Sequence, residues 1–309
     1  MKNLPSIKAV GAFATRAYAP HWKGISDVIG AGNCVDTSLE DGQIVERVFD
    51  GSRVDILLLC LVECLRMDRL LAEARRRGAV VVFWYCDAIE DGFPQIKDKI
   101  DLLATTAPVI FGPKAEAQGV SWIFLPQGCL PLSDLPEGGV IHDDALFVGN
   151  RYTDRIYGPR TELLRELAIQ DAVRFLPSDN DEGERKQIFE NLPGILPTHT
   201  ATLSVSALWD SPLYTSNRLW LTTGNGGVAV VRDFPLVEQF FLPGEEVLTF
   251  ETPAEFASIM RDLRMDPDLR ETVRAAGFVR AQKEHTYANR IRTLATAADG
   301  IGHRPALPA

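Results

Sequence analysis

Residues 214–218 of this chain read Tyr-Thr-Ser-Asn-Arg, and residues 223–227 read Thr-Gly-Asn-Gly-Gly, just before the apolar run Val228-Ala229-Val230-Val231. Ser216 and Asn217 are favourable N-cap residues, so a short helix should open there with Arg218 in its first turn. Free N–H groups, the helix dipole and a guanidinium then converge on one point. That combination suits a phosphate or diphosphate, whose oxygens the planar guanidinium matches in pairs. Gly226 and Gly227 would supply positive φ or a close backbone approach beside the helix end. An ordinary capped helix with a solvated arginine is the alternative reading.

Two other residues have the chemistry to accept a proton. Asp87 follows the apolar and aromatic run 79–86, so it should emerge at a strand C-terminus, where a carboxylate can deprotonate a hydroxyl. The aromatic flank would desolvate it; a turn or N-cap aspartate is the alternative. His21 sits in Arg16-Ala17-Tyr18-Ala19-Pro20-His21-Trp22, read as the loop after the first strand, and imidazole titrates near neutrality. A surface loop histidine is its alternative. The five histidines lack metal-ligand spacing, and no metal is expected.

The bulk properties narrow the class. At 309 residues the chain is long enough for two domains of roughly 150 residues each. Its formal charge of −10 disfavours a broad nucleic-acid footprint, although a local basic cleft is still compatible with it. Arg75-Arg76-Arg77, the one dense basic cluster, reads as a solvated helix C-terminus. No apolar run approaches the roughly 20 residues of a membrane span, and the first ten residues lack a signal-like core. Five cysteines, odd in number and without a Cys-x-x-Cys pair, read as buried free thiols in a reducing cytoplasm.

The elements that must position these residues alternate. Strands are expected at 7–13, 54–61, 80–85, 102–105, 109–111 and 123–125, with a helix over 65–77. A Pro/Gly-rich linker follows at 126–139. Strands resume at 145–148, 173–176, 202–206, 228–231 and 247–250, with helices over 159–168, 253–263, 267–275 and 277–298. Such alternation predicts an α/β protein with two Rossmann-like doubly wound domains facing across a cleft, an N-terminal one at 1–139 and a C-terminal one at 140–298. Residues 299–309 should form a flexible tail. Open parallel sheets bind ligands outside their strand C-termini, so the loops there carry the functional reading. Gly30-Ala31-Gly32 is a broken dinucleotide fingerprint and has no weight as one.

Ordered motifs over roughly residues 80–297 resemble the GT-B glycosyltransferases, in particular the CgeB-like and phage-encoded group. They are Phe83-Trp84-Tyr85-Cys86-Asp87, Leu125-Pro126-Gln127-Gly128, Ala145-Leu146-Phe147-Val148-Gly149-Asn150, the 214–227 segment, Phe240-Phe241-Leu242-Pro243-Gly244-Glu245-Glu246, Thr252-Pro253-Ala254-Glu255 and His285-Thr286-Tyr287-x-x-Arg290. The resemblance implies transfer of a sugar from a nucleotide-diphosphate sugar, UDP-sugar foremost, to an acceptor hydroxyl without a metal or other cofactor. It implies that Gly149 and Asn150 approach the donor diphosphate, that Arg155 or Arg160 neutralises phosphate charge, and that Tyr214 and Arg218 belong to the donor site. Asp210 would orient sugar hydroxyls. The acceptor is left open among a surface glycan, a protein, a metabolite and a hydroxymethylated pyrimidine in phage DNA. One departure stands out: Leu219-Trp220-Leu221-Thr222 lacks the acid that many relatives carry for the donor ribose. A non-catalytic nucleotide-sugar-binding module is the rival reading. Asp179-Asn180-Asp181 looks like the metal motif of the other glycosyltransferase fold, but it lies in an acidic loop where solvated turn residues are the default.

Overall fold

Val80–Tyr85 is buried at every position, Phe83 and Trp84 completely so. Successive strand residues point to opposite faces, so both faces of the sheet holding this strand are covered. The computed structural model describes residues 4–17, 19–87, 93–139, 141–149, 157–177 and 182–301, and in it the chain divides into two compact units. The first unit contains β1 (Ile7–Gly11), β2 (Cys34–Asp36), β3 (Ile56–Leu59), β4 (Val80–Tyr85), β5 (Leu102–Thr105) and β6 (Ser121–Phe124). They form one parallel sheet in the order β2-β1-β3-β4-β5-β6. Helices α1 (Pro20–Ile29), α2 (Asp41–Val48), α3 (Asp68–Arg76) and α4 (Pro108–Glu116) connect the strands. Strand order reverses between β1 and β3.

The second unit repeats the plan. Strands β7 (His142–Val148), β8 (Val173–Leu176), β9 (His199–Ser204), β10 (Ala229–Arg232) and β11 (Leu248–Phe250) form a parallel sheet in the order β11-β10-β9-β7-β8. Its helices are α5 (Gly158–Gln170), α6 (Glu182–Glu190), α7 (Leu192–Ile195), α8 (Arg218–Gly224), α9 (Pro253–Met265) and α10 (Pro267–Glu284). Here the reversal lies between β7 and β9. The start of α9 follows its sequence closely: Thr252 accepts from the Glu255 amide at 3.2 Å, and the Glu255 carboxylate accepts from the Thr252 amide. The expected fold class, two Rossmann-like doubly wound domains, is the one observed.

The unit boundaries differ from the expected 1–139 and 140–298. Gly128–Thr286 forms the second unit, and Tyr287–Ala309 returns to the first. The Pro/Gly-rich stretch belongs with the second unit because its backbone is tied there. Arg274 donates to the Pro136 carbonyl at 2.8 Å, the Gln282 amide to that of Leu130 at 3.2 Å, and the Cys129 amide to that of His285 at 2.9 Å. The last helix, α11 (Tyr287–Ile301), packs on α1, with Gly24 directly against the Tyr287 ring. The expected tail therefore begins inside a helix, and its residues 302–309 lie outside the described ones.

Two element assignments change for identifiable reasons. Residues 109–111 lie in α4, not in a strand; Pro108 stands in the helix's first turn, and Gly112 admits the Trp122 ring, from which a Cβ would be 2.6 Å away. A three-residue apolar run does not distinguish the two states. Gly277, read as a break, is inside α10, where a Cβ would stand 2.5 Å from the Glu246 carbonyl oxygen. It permits a close approach. Helices α1, α2, α6 and α7 and strand β2 were not expected from the pattern.

Gly24→Ala should test the docking of the last helix. An added methyl would lie 2.0 Å from Cδ2 of Tyr287, which is fully buried. Overpacking of this kind costs about 1–3 kcal/mol, so the denaturant midpoint should fall, whereas Gly300→Ala, with nothing within 4 Å, should not lower it.

Candidate anion site at the strand ends of the second unit

The pairing of β7 with β9 stops at Leu146 and Thr202, before either strand ends, and at such a reversal of strand order open sheets form a ligand-binding crevice. Arg218 fills that crevice. Its guanidinium donates to the Val205 carbonyl just past β9 at 2.7 Å and to the Val148 carbonyl ending β7 at 3.4 Å. It lies 4.5 Å from the Phe147 ring centroid. Its Nε has no acceptor among the described residues. Among those residues no carboxylate pairs with Arg218. Burial, and then the neighbouring Arg160 charge, push its pKa down to about 9, so it remains a cation at neutral pH.

Arg160, in the first turn of α5, is 5% exposed and lies 4.7 Å from the Tyr157 ring and 5.9 Å from that of Phe147. Two guanidinium groups thus share one aromatic wall. Gly149 has φ 150°, in the region that favours glycine, and a Cβ there would stand 2.6 Å from Nη1 of Arg218. Any side chain at 149 would displace the guanidinium. Tyr214 and Thr215 are buried alongside, and the Ser216 amide donates to the Ser206 hydroxyl at 2.8 Å.

The helix cap differs from expectation. Asn217 occupies the N-cap position in a helical conformation, and neither its side chain nor that of Ser216 caps α8. Ser204 Oγ, Ser216 Oγ and Asn217 Oδ1 are instead buried without partners among the described residues. Unsatisfied groups of this kind cost about 1–3 kcal/mol each. Ser216 and Asn217 directly precede Arg218 in the chain, and Ser204 directly precedes Val205, whose carbonyl Arg218 bonds.

Other expected residues are placed elsewhere. Gly226 and Gly227 follow the far end of α8 from Arg218; Gly226, at φ 74°, receives an Arg274 N–H on its carbonyl at 3.2 Å. Gly226 follows the helix end and packs on Leu135 and Pro136 of the linker stretch, whereas Gly227 packs on Thr222, Leu196 and Thr202, so both lie at the end of α8 away from Arg218. Asp210 is exposed in the turn after β9. Asn150, Arg155 and the Asp179-Asn180-Asp181 loop lie outside the described residues. The missing ribose acid is matched by burial: Leu221 and Thr222 sit in the core. The His285 motif is structural, since His285 Nε2 bonds the Phe240 carbonyl at 2.9 Å and its ring packs 4.9 Å from Trp220.

In the first unit, Asp87 stands two residues beyond β4, as expected, but is exposed rather than desolvated by the aromatic run. His21 is not in a loop. It is the second residue of α1, is 9% exposed, and has the rings of Trp22, Trp84 and Tyr287 at 4.8, 5.1 and 5.8 Å. Burial pushes its pKa down to about 4. Sequence reasoning did not find Phe147, Tyr157 or Ser206 as members of the site, because nothing in their local spacing marks them. Nor did it find Asp36, whose carboxylate ties down the loop after β1 by accepting from the Ala14 and Thr15 amides at 2.5 and 3.2 Å.

Residues 144–296, running from β7 into α11, match the glycosyl transferase-like family. No curated protein is similar to the chain in sequence. HepE of Anabaena, solved with UDP-glucose, is similar at TM-score 0.58 and 13% identity, over 94% of this chain and 91% of that one. The DNA-modifying enzyme β-glucosyltransferase, solved with and without uridine diphosphoglucose, gives 0.56 and 12% over 95% and 99%. The pneumococcal O-GlcNAc transferase GtfA in complex with UDP and GlcNAc gives 0.53 and 13% over 81% of this chain, which spans 58% of that protein's length. At these identities the likeness is one of fold. The family match covers residues 144–296, and the fold shared with these structures is two parallel-sheet, Rossmann-like domains.

His21 makes acid stability testable. The unfolded chain takes up a proton at this position below pH 6.5, which the folded chain refuses until about pH 4. Its contribution is therefore full above about 6.5 and lost as pH falls toward 4, on the order of 3 kcal/mol in total. His21→Leu should flatten the pH dependence of urea stability across that window; an unchanged slope would place the acid sensitivity elsewhere.

Proposed function

We propose that the chain is a metal-independent glycosyltransferase that moves a sugar from a UDP-sugar to an acceptor hydroxyl. One observation carries this reading: a buried Arg218 cation without a carboxylate partner among the described residues, beside Arg160 and a Gly149 that leaves it room. Departure of the nucleotide concentrates negative charge on the diphosphate, and two preorganised guanidinium groups stabilise that charge without reorganising. They supply the positive potential that a divalent ion would otherwise provide. Asp87 is assigned as the base that takes the acceptor's proton, since an exposed carboxylate at a strand end can reach a hydroxyl and His21 is enclosed by aromatic rings. The ordered motifs support the CgeB-like and phage-encoded group, and five free cysteines support a cytoplasmic setting. A hydroxymethylated pyrimidine in DNA and a surface glycan are the acceptors to assay first; the fold shared with a DNA-modifying β-glucosyltransferase supports including the former.

Calorimetric titration of UDP and UDP-glucose tests the donor site. Arg218→Ala should weaken binding at least about tenfold, as expected for one charge-assisted contact of roughly 2–3 kcal/mol, and Gly149→Ala should weaken it by displacing the same guanidinium. Turnover should survive EDTA. Unchanged affinity in both variants refutes the site, and loss of turnover restored by magnesium or manganese refutes the metal-free mechanism.

Asp87→Asn should reduce turnover by about 10²- to 10⁴-fold with donor affinity retained. A loss below about threefold places the base elsewhere. Donor binding without turnover on any acceptor in wild type would identify a nucleotide-sugar-binding module instead.

A further inference from the structure

The second unit has another concave site, at the opposite end of its sheet from Arg218. A pocket of about 160 Å³ lies beside the first residue of β9 and the N-terminal half of α10. Its apolar floor is Pro197 and Val228, and its polar wall is His199, Arg270, Glu271 and Arg274. A cavity of ~150 Å³ accommodates a six-membered ring.

The wall is built around a buried dyad. His199 is 5% exposed, and its Nδ1 bonds the Asp144 carboxylate, which also accepts from Arg174 Nε at 2.7 Å. An ionised carboxylate only accepts hydrogen bonds, so Nδ1 carries the proton and Nε2 presents a lone pair. Burial lowers the His199 pKa and keeps the ring neutral. Nε2 has no partner among the described residues, although the residue lines the pocket. Arg274 is fully engaged, with both Glu271 oxygens at 2.8 Å and the Pro136 and Gly226 carbonyls at 2.8 and 3.2 Å. Arg270 is half-buried and has no acceptor side chain among the described residues. The pocket thus offers one fixed acceptor nitrogen, one uncommitted guanidinium and an apolar floor. A plain anion would satisfy only Arg270 and would face the lone pair of His199; a neutral alcohol would leave Arg270 unmatched.

We propose that this pocket binds a small hydroxylated anion whose hydroxyl donates to His199 Nε2 and whose anionic oxygens accept from Arg270. A sugar phosphate and a sugar acid share that chemistry. The site is independent of the donor-site reading, since it shares no residue with it.

The intact chain is titrated separately with glucose 6-phosphate, gluconate and glucose, followed by calorimetry and by the imidazole ¹⁵N resonances of His199. At least one of the two anions should bind with a Kd of about 1 mM or tighter, and glucose about tenfold more weakly. Binding should shift the His199 signals, weaken about tenfold in Arg270→Ala, and persist in Arg218→Ala. Binding of only glucose 6-phosphate or only gluconate identifies phosphate or carboxylate as the recognised group. The proposal is overturned if neither anion binds, if glucose binds equally well, if the His199 signals do not move, or if Arg270→Ala binds like wild type.

Discussion

The second unit depends on one constraint: a guanidinium has to sit where two parallel strands part. Arg218 bridges the carbonyls that end β7 and β9, groups that helix and sheet ladders leave unpaired at a reversal of strand order. Holding a cation there costs desolvation, and the nearby Arg160 charge adds repulsion. The Phe147 ring offsets part of this through its negative face. The proposed diphosphate would relieve the remainder. A site that is strained without its charge partner binds that partner with selectivity for charge, which is the property a diphosphate site requires.

The same constraint explains the local composition. Gly149 has no side chain because the guanidinium occupies the space a Cβ would take. Ser216 and Asn217 leave their side-chain oxygens buried without partners among the described residues rather than spending them on capping α8. At the other end of α8, Gly226 and Arg274 stop the helix and bind the linker stretch, which fixes the axis on which Arg218 is mounted. The glycines thus act on the site through position alone.

The first unit is organised by packing instead. His21, Trp22, Trp84 and Tyr287 interlock around the start of α1, and Tyr287 begins the helix by which the chain returns to this unit. Gly24 lets that helix close on α1. An imidazole in such surroundings is a structural group with a suppressed charge, whereas Asp87, past the end of β4, keeps access to solvent. The two candidate bases, a carboxylate and an imidazole, are set apart further by their environments.

Strand identity and the repeated α/β plan were legible in the sequence, because fully buried strands write themselves as continuous apolar runs, as at 80–85 and 228–231. The helix that begins at Arg218 was legible too, since it is a local pattern. The family resemblance had put Arg160 and Arg218 in one site, but the Phe147 ring against Arg218 and the Asp144–His199 dyad were not legible: those residues are 71 and 55 positions apart in the chain, and only sheet register brings them together. The compact units differ from the expected bounds for the same reason, because α11 joins the first unit through contacts with α1 near the N-terminus. Local chemistry and periodicity are carried by neighbours in sequence, so the chain states them directly. Burial, charge partnership and the return of the last helix are sums over distant residues, and only the tertiary structure decides them.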